Sequence, residues 1–359
     1  MADSGLDWHL DRYRQSQLPH TDHLEYRHNR MVFDVCLQGN FLVSASVDRT
    51  VRVWNLETQR LLYPALTGHA GSVRAVQFDA AADEDVIISG GNEGDVIVWR
   101  FSTGEAIQTV TEAHDEGACV GGLCSLHFDK IYLATGGRQG EIKLFNRRSL
   151  NAHDTDLPSF VNRRAESEKY PAYSLLATFT GHENAVLALQ LRGDVLVSGS
   201  GDSTMCIWSL QTGEILRRIN IHQSGVACLQ YNGRYIVSGS TSNAVKIYDV
   251  DQDEEIACLE GHSNVVRSVR AIFDDNAEVM TVVSSSYDGS IKVWKPETGS
   301  HMWRKVDEAH ISGFGTIHSA NEECDFSNRI NSIALDDSRL VCAGHGPVIR
   351  VWDFHSLCE

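Results

Sequence analysis

The sequence predicts an all-β chain built from seven copies of one unit, and three observations predict it. Four segments, FLVSASVDRTVRVWN, DVIISGGNEGDVIVWR, VLVSGSGDSTMCIWS and MTVVSSSYDGSIKVWK, align directly. Three weaker relatives, IYLATGGRQGEIKLFN, YIVSGSTSNAVKIYD and LVCAGHGPVIRVWD, keep the same pattern. Their closing aromatics, Trp54, Trp99, Phe145, Trp208, Tyr248, Trp294 and Trp352, lie 45, 46, 63, 40, 46 and 58 residues apart. Between elements the apolar runs are short, alternate with turn residues and show no helical period. A unit of about 40 to 45 residues holding four short strands has the period of a propeller blade.

Taken in order, residues 1–20 are expected to be a linker and 21–359 the propeller. Each unit opens with a histidine: His28, His69, His114, His182, His222, His262 and His310. Two apolar strands follow, VLALQL and VLVSGS in unit four, then a Gly or Asp turn and a third strand ending in the aromatic. Insertions at 115–122 and 311–329 lengthen histidine loops, and 146–172 lies between units three and four. The last, polar and holding Arg147, Arg148, Arg163, Arg164 and Lys169, is expected to be disordered. Unit seven ends six residues after Asp353, leaving no outer strand of its own. The N-terminal HTDHLEY stretch is expected to supply it, pairing 21–27 with 348–353 and removing an exposed sheet edge.

The run G-H, strand, S-G-S-x-D, strand, W-D or W-N resembles the WD-repeat family, over roughly residues 21 to 353. The resemblance implies a seven-bladed β-propeller. It also implies a structural tetrad of loop histidine, strand serine, closing tryptophan and turn acid. Matching positions are Asp48 and Trp54 in unit one, His69 and Trp99 in unit two, His182, Asp202 and Trp208 in unit four, and His262, Asp288 and Trp294 in unit six. At the acid position units two, three, five and seven carry Glu93, Gln139, Ser242 and Gly346, so those blades are expected to lack the full network.

Composition excludes several classes. Lys plus Arg is 31 against 48 Asp plus Glu, a net charge of −17, which argues against nucleic acid or anionic membrane as a general partner. There is no apolar h-region at the start and no 18-residue apolar run, so a cytoplasmic or nuclear location is expected. The nine cysteines are scattered without a C-x-x-C pair and read as reduced, buried hydrophobes. No phosphate loop, dinucleotide fingerprint, zincin or nucleophile elbow occurs, and His20 with His23 has no nearby cysteine to complete a metal set. The sequence therefore calls for no enzyme activity, no cofactor and no metal.

In the WD-repeat family, two positions per blade point onto the histidine-loop face. The first set reads Phe33, Arg74, Cys124, Leu187, Ala227, Arg267 and Asn331; the second reads Val47, Asn92, Arg138, Gly201, Thr241, Tyr287 and His345. Three of these fourteen are arginines, where 24 in 359 residues would place about one. Arg74 and Arg138 fall on adjacent blades, and guanidinium forks suit phosphate. The plainer alternative pairs each with a neighbouring acid. Phe33, Leu187 and Tyr287 offer apolar contact, and Arg329 precedes the last inner strand. The repeats are similar to those of F-box/WD-repeat proteins, substrate receptors of SCF-type ubiquitin ligases. That resemblance implies binding of phosphorylated degrons by Arg74, Arg138 and Arg267. No F-box precedes the repeats in this sequence, so direct docking to the ligase adaptor is not expected. Two functions follow as expectations: recognition of a phosphorylated or acidic peptide in ubiquitin-dependent turnover, or a constitutive scaffold for a multi-protein complex without phosphate dependence.

Overall fold

A computed structural model describes residues 10–19, 25–110, 121–151, 154–159, 161, 169–297, 302–311 and 328–357. Seven antiparallel sheets follow one another along the chain. Blade four is typical: Val186–Arg192 is innermost, then Val195–Ser200, Met205–Ser209 and the outer Ile215–Ile219. The other inner strands are Val32–Gln38, Val73–Asp79, Leu123–Phe128, Val226–Tyr231, Val266–Phe273 and Ile330–Leu335. In blade one the outer strand is split into Arg60–Leu61 and Leu66–Thr67, which both pair with Thr50–Asn55.

Second and third strands are buried on both faces, as in VIISGG of blade two, because each sheet is covered by a blade on either side. Seven apolar clusters occupy the seven interfaces, for example Val237, Val245 and Ile247 of blade five against Val266, Val269 and Val282 of blade six. The glycine of S-G-S sets the spacing. A Cβ on Gly199 would stand 2.7 Å from Val226 Cγ1 of the next blade, and one on Gly239 2.7 Å from Val266 Cγ1.

Polar clamps join the inner strands. Gln77 Nε2 donates to Phe128 O at 3.1 Å, and Gln77 Oε1 accepts from Phe128 N at 2.8 Å. Gln190 does the same with Tyr231 and Gln230 with Ala271. At the matching position of blade three, His127 Nδ1 accepts from Leu191 N at 3.2 Å.

The ring is closed by an N-terminal strand, but by an earlier one than 21–27. Tyr13–Leu18 pairs antiparallel with Ile349–Leu357, in register Gln15 to Trp352 and Leu18 to Ile349. Six residues from within the supposed linker thus belong to blade seven. Residues 25–27 turn into His28, and 20–24 lie outside the described residues. The reason lies in the side chains. Leu10, Tyr13 and Leu18 are buried, Tyr13 edge-on to Phe354 and Leu18 among Leu42, Trp54 and Val351, whereas Glu25 and Tyr26 are exposed. Leu10 N also donates to Asp307 Oδ2 at 2.7 Å.

The loop at 146–172 departs from expectation where it is described. Leu150–Asn151 pairs with Lys169–Tyr170, and Leu150, Leu157 and Val161 form a small apolar cluster with Tyr170 and Leu176. Asn146 Nδ2 donates to three carbonyls, of Arg148, Tyr170 and Pro171, tying its ends together. Of the other two insertions, only residues 121–122, 311 and 328–329 are described.

Candidate functional site

Every inner strand skips one residue in its pairing with the second strand. In blade two Val73 faces Gly91 and Ala75 faces Gly90, leaving Arg74 without an opposite number. The same shift leaves out Phe33, Cys124, Leu187, Ala227, Arg267 and Asn331. A β-bulge re-aims the extra residue out of the ladder. Here seven bulges turn seven side chains into the mouth of one central cavity of about 160 Å³.

The second set is fixed beside the first. The amides of Val47, Asn92, Arg138, Gly201, Thr241, Tyr287 and His345 each donate to the carbonyl two residues before their own blade's bulged position, at 2.7 to 3.2 Å. The two sets therefore form one rigid rim.

On this rim five of the six nominated residues come together in two groups, Phe33, Arg74 and, through Asn92, Arg138 in one, and Tyr287 with Arg329 in the other. The Arg74 guanidinium lies over the Phe33 ring, 4.2 Å from its centroid, and Arg74 Nε donates to Asn92 Oδ1 at 3.2 Å. Arg138 Nη2 donates to that same Asn92 oxygen. One neutral carboxamide thus holds two cations together. Arg267 Nη1 donates to Ala227 O at 3.3 Å, across the mouth. Burial lowers the pKa of Arg74, and the positive charges of Arg138 and then Arg267 add to the effect. Burial raises the Cys124 thiol, against the pull of Arg138 and Arg74. Arg329 and Tyr287 form a separate pair, with the guanidinium 5.1 Å from the ring centroid. Among the described residues no carboxylate lies within ion-pair distance of Arg74, Arg138 or Arg267. The pairing with neighbouring acids that the sequence left open is not found there.

Below the rim, Arg270 and Asp34 line the same cavity. Asp34 accepts from Val76 N and Ser332 Oγ, and burial raises its carboxyl. Arg270 and Asp34 were missed, and Asn92 was placed on the rim without a role. The signal for Arg270 was hidden, because it lies three residues after Arg267 and simple alternation puts the two on opposite faces; the bulge returns them to the same side.

The tetrad positions assemble into a relay. In blade four Trp208 Nε1 donates to Ser198 Oγ at 2.8 Å, His182 Nε2 meets that hydroxyl at 2.7 Å, and His182 Nδ1 meets Asp202 Oδ2 at 2.8 Å. A neutral imidazole with its proton on Nδ1 satisfies every member. Blade one repeats this with Trp54, Ser44, His28 and Asp48, and blade six with Trp294, Ser284, His262 and Asp288. Burial lowers the pKa of His28 and His182 despite the adjacent carboxylates. For Asp202, burial works upward, but bonds from Thr204, Glu183 N and His182 outweigh it and bring the group down to about 2.

Two assignments change. Blade two has a complete network after all: His69 Nδ1 bonds Asp95, not Glu93, while Ser89 and Trp99 complete the set. In E-G-D the acid has moved two residues on, to the place of Thr204 in D-S-T. His310 is not a blade-seven counterpart; it is exposed at the end of blade six, 3.1 Å from Glu308. Blade seven has Cys342 where the serine would stand, with its thiol pushed up to about 12 by burial. His114 lies outside the described residues. Among the described residues no group of three or more His, Cys, Asp or Glu is placed to hold a metal ion.

Comparison with known proteins agrees with this architecture. The family model "WD domain, G-beta repeat" matches residues 22–55 and 61–100, and "tRNA methyltransferase TRM82 WD40 domain" matches 175–305; together they span more than half of the chain. Mitochondrial division protein 1 of Neurospora crassa is 29% identical over 44% of this chain and 25% of its own length. WD repeat-containing protein pop2 of Schizosaccharomyces pombe is 27% identical over 53% and 22%, and Protein FIZZY-RELATED 3 of Arabidopsis thaliana 28% over 48% and 40%. The matches thus span between a fifth and two fifths of these relatives. Among solved structures, the WD40 propeller domain of Doa1 superposes with a TM-score of 0.67 at 17% identity, covering 91% of this chain and 93% of that one. The designed protein Ika8 gives 0.60 at 25%, covering 91% and 97%. The likeness to F-box/WD-repeat receptors remains one of style, since neither family model is specific to them. WD-repeat propellers typically carry no catalytic centre. Seven blades, the relay of histidine, serine, tryptophan and acid in four of them, and these matches make the chain a member of the WD-repeat family, a seven-bladed protein-interaction propeller.

Proposed function

We propose that the rim of the central cavity recognises a phosphorylated or acidic peptide, with Arg74 and Arg138 as the anion clamp and Arg267 facing them. The observation that carries this reading is the shared Asn92 oxygen, which holds two guanidiniums side by side with no carboxylate within ion-pair distance among the described residues. An incoming phosphate would relieve their mutual repulsion and accept planar, charge-assisted hydrogen bonds. Phe33, Leu187 and the Tyr287–Arg329 pair supply apolar and aromatic contact around it. RNA is not proposed as the ligand, because the net charge of −17 provides no backbone footprint.

We place the protein in ubiquitin-dependent turnover on the style of its repeats alone. The cytoplasm or nucleus suits six free cysteines at described positions. The test is affinity capture from lysate with and without phosphatase, using wild type and the Arg74→Glu/Arg138→Glu double variant. Capture should fall at least about tenfold on either treatment, the equivalent of about 1.4 kcal/mol, with the circular dichroism spectrum unchanged. A partner set that survives both treatments overturns the reading and favours a constitutive scaffold.

A further inference from the structure

Blade five has the relay without its acid. His222 Nε2 meets Ser238 Oγ at 2.8 Å, as in the complete blades. His222 is only 7% exposed, and its Nδ1 is buried without a hydrogen-bond partner. Tyr248 stands where tryptophan would and bonds Asp253 instead of the serine. Blades one, four and six put Asp48, Asp202 and Asp288 against that nitrogen; the matching residue here is Ser242. A buried polar atom left without a partner destabilises the fold that holds it.

In blades one, four and six the acid does three jobs. One oxygen accepts from His Nδ1 and from the next amide, which is Asn29 N, Glu183 N or Ser263 N. The other accepts from the amide two residues on, which is Thr50 N, Thr204 N or Ser290 N. In blade five those amides belong to Gln223 and Ala244. Ser242 has a hydroxyl too short for the first two jobs, and it bonds Ser240 Oγ at 2.9 Å instead. Yet Ser242 is exposed, on a turn between the exposed Thr241 and Asn243, so it is accessible to another protein.

We propose that Ser242 is a phosphoacceptor, and that its phosphoryl group takes the place the carboxylates hold in blades one, four and six. A phosphoserine carries a charge of about −1.5 to −2 and three strong acceptor oxygens, enough for His222 Nδ1, Gln223 N and Ala244 N. The transfer forms the Ser242 Oγ–P bond and breaks the bridging P–O bond between the β- and γ-phosphates of a nucleoside triphosphate. The nucleoside diphosphate leaves, and the hydroxyl proton passes to the base of the transferring kinase. The modification would lock the blade-five turn, which carries Thr241 on the rim. The inference does not depend on the peptide reading.

Two measurements test it. First, phosphopeptide mapping of the full chain isolated from the cells that make it should find phosphate at Ser242, lost in Ser242→Ala. Full coverage of 235–250 with no phosphate at Ser242 overturns the proposal. Second, the full chain carrying phosphoserine at 242 by codon reassignment should exchange its 240–244 amides at least about tenfold more slowly. The same chain should show the His222 ring titrating at higher pH than in unmodified protein. The same modification in a His222→Phe background, which keeps only the two amide contacts, should slow the 240–244 amides clearly less. Exchange and titration unchanged by phosphoserine, or slowed equally in both backgrounds, would mean that the phosphate does not complete the relay.

Discussion

Arg74, Asn92 and Arg138 illustrate what single residues settle. The arginines were legible in the sequence because the repeat assigns each a place on the rim. Asn92 stood in the same set but looked inert, since a carboxamide announces nothing until two cations are found on its oxygen. The histidines make a separate prediction at this scale. Burial holds His222 at about 4, with Lys246 adding to the effect, and His127 at about 4, with Arg270 adding to it. In the unfolded chain both titrate near 6.5. Below that pH the unfolded state binds protons that the fold refuses, so stability is complete above about 6.5 and falls as the pH drops toward 4. For the well-buried His222 the loss reaches about 3 kcal/mol by linkage. Since Gln77, Gln190 and Gln230 make the two-bond clamp at the position of His127, His127→Gln should fold and gain a bond to Leu191 O. Thermal melting between pH 7 and 4 should therefore show a shallower decline and an equal or higher Tm at pH 7. Curves parallel to wild type would contradict the assignment.

At the scale of strands and turns, the sequence carried the order of elements but not their contacts. Alternation located each inner strand, yet alternation cannot show a bulge, because the extra residue is read as one more step of the same period. It was the family's rim positions, not the local pattern, that found the seven bulged residues. The E-G-D turn of blade two was misread for a similar reason: the acid was sought six residues before the tryptophan, while Asp95 does the work from four. The S-G-S glycines were visible, and the structure supplies their cause in the approach of the next blade. Gly199→Ala would press a methyl carbon to 2.7 Å from Val226 Cγ1. We expect it to cost about 1–3 kcal/mol, as overpacked cores do, measured by urea unfolding. A loss below half a kcal/mol would mean the interface yields. Blades one and seven carry Ala45 and Ala343 at this position, so only the local spacing, not alanine as such, is at issue.

For the whole molecule, the seven-fold count and the need for a closing strand could be read from the chain, because a last blade without an outer strand leaves an edge. Which residues fill it could not be read from the repeat, since the closing strand is not part of the repeat pattern. Leu10, Tyr13 and Leu18, spaced along a polar stretch, pack into the joints on both sides of blade seven. Burying three such side chains is worth about 4–9 kcal/mol. Deleting residues 1–19 should then lower Tm by more than about 10 °C and make unfolding less cooperative in calorimetry. Leu18→Asp in the full-length chain should shift Tm in the same direction, since Leu18 packs among Leu42, Trp54 and Val351. A melt unchanged by either variant would place the closure elsewhere.

The seven bulges also bear on how such a surface diversifies. A bulged residue has no partner across the ladder, so exchanging it breaks no strand pairing and disturbs no neighbouring blade's register. Each of the seven acts as a separate letter in an address displayed around one opening. The address can be rewritten one letter at a time while the scaffold that displays it stays under unchanged selection. Phe33, Arg74, Cys124, Leu187, Ala227, Arg267 and Asn331 are this chain's spelling.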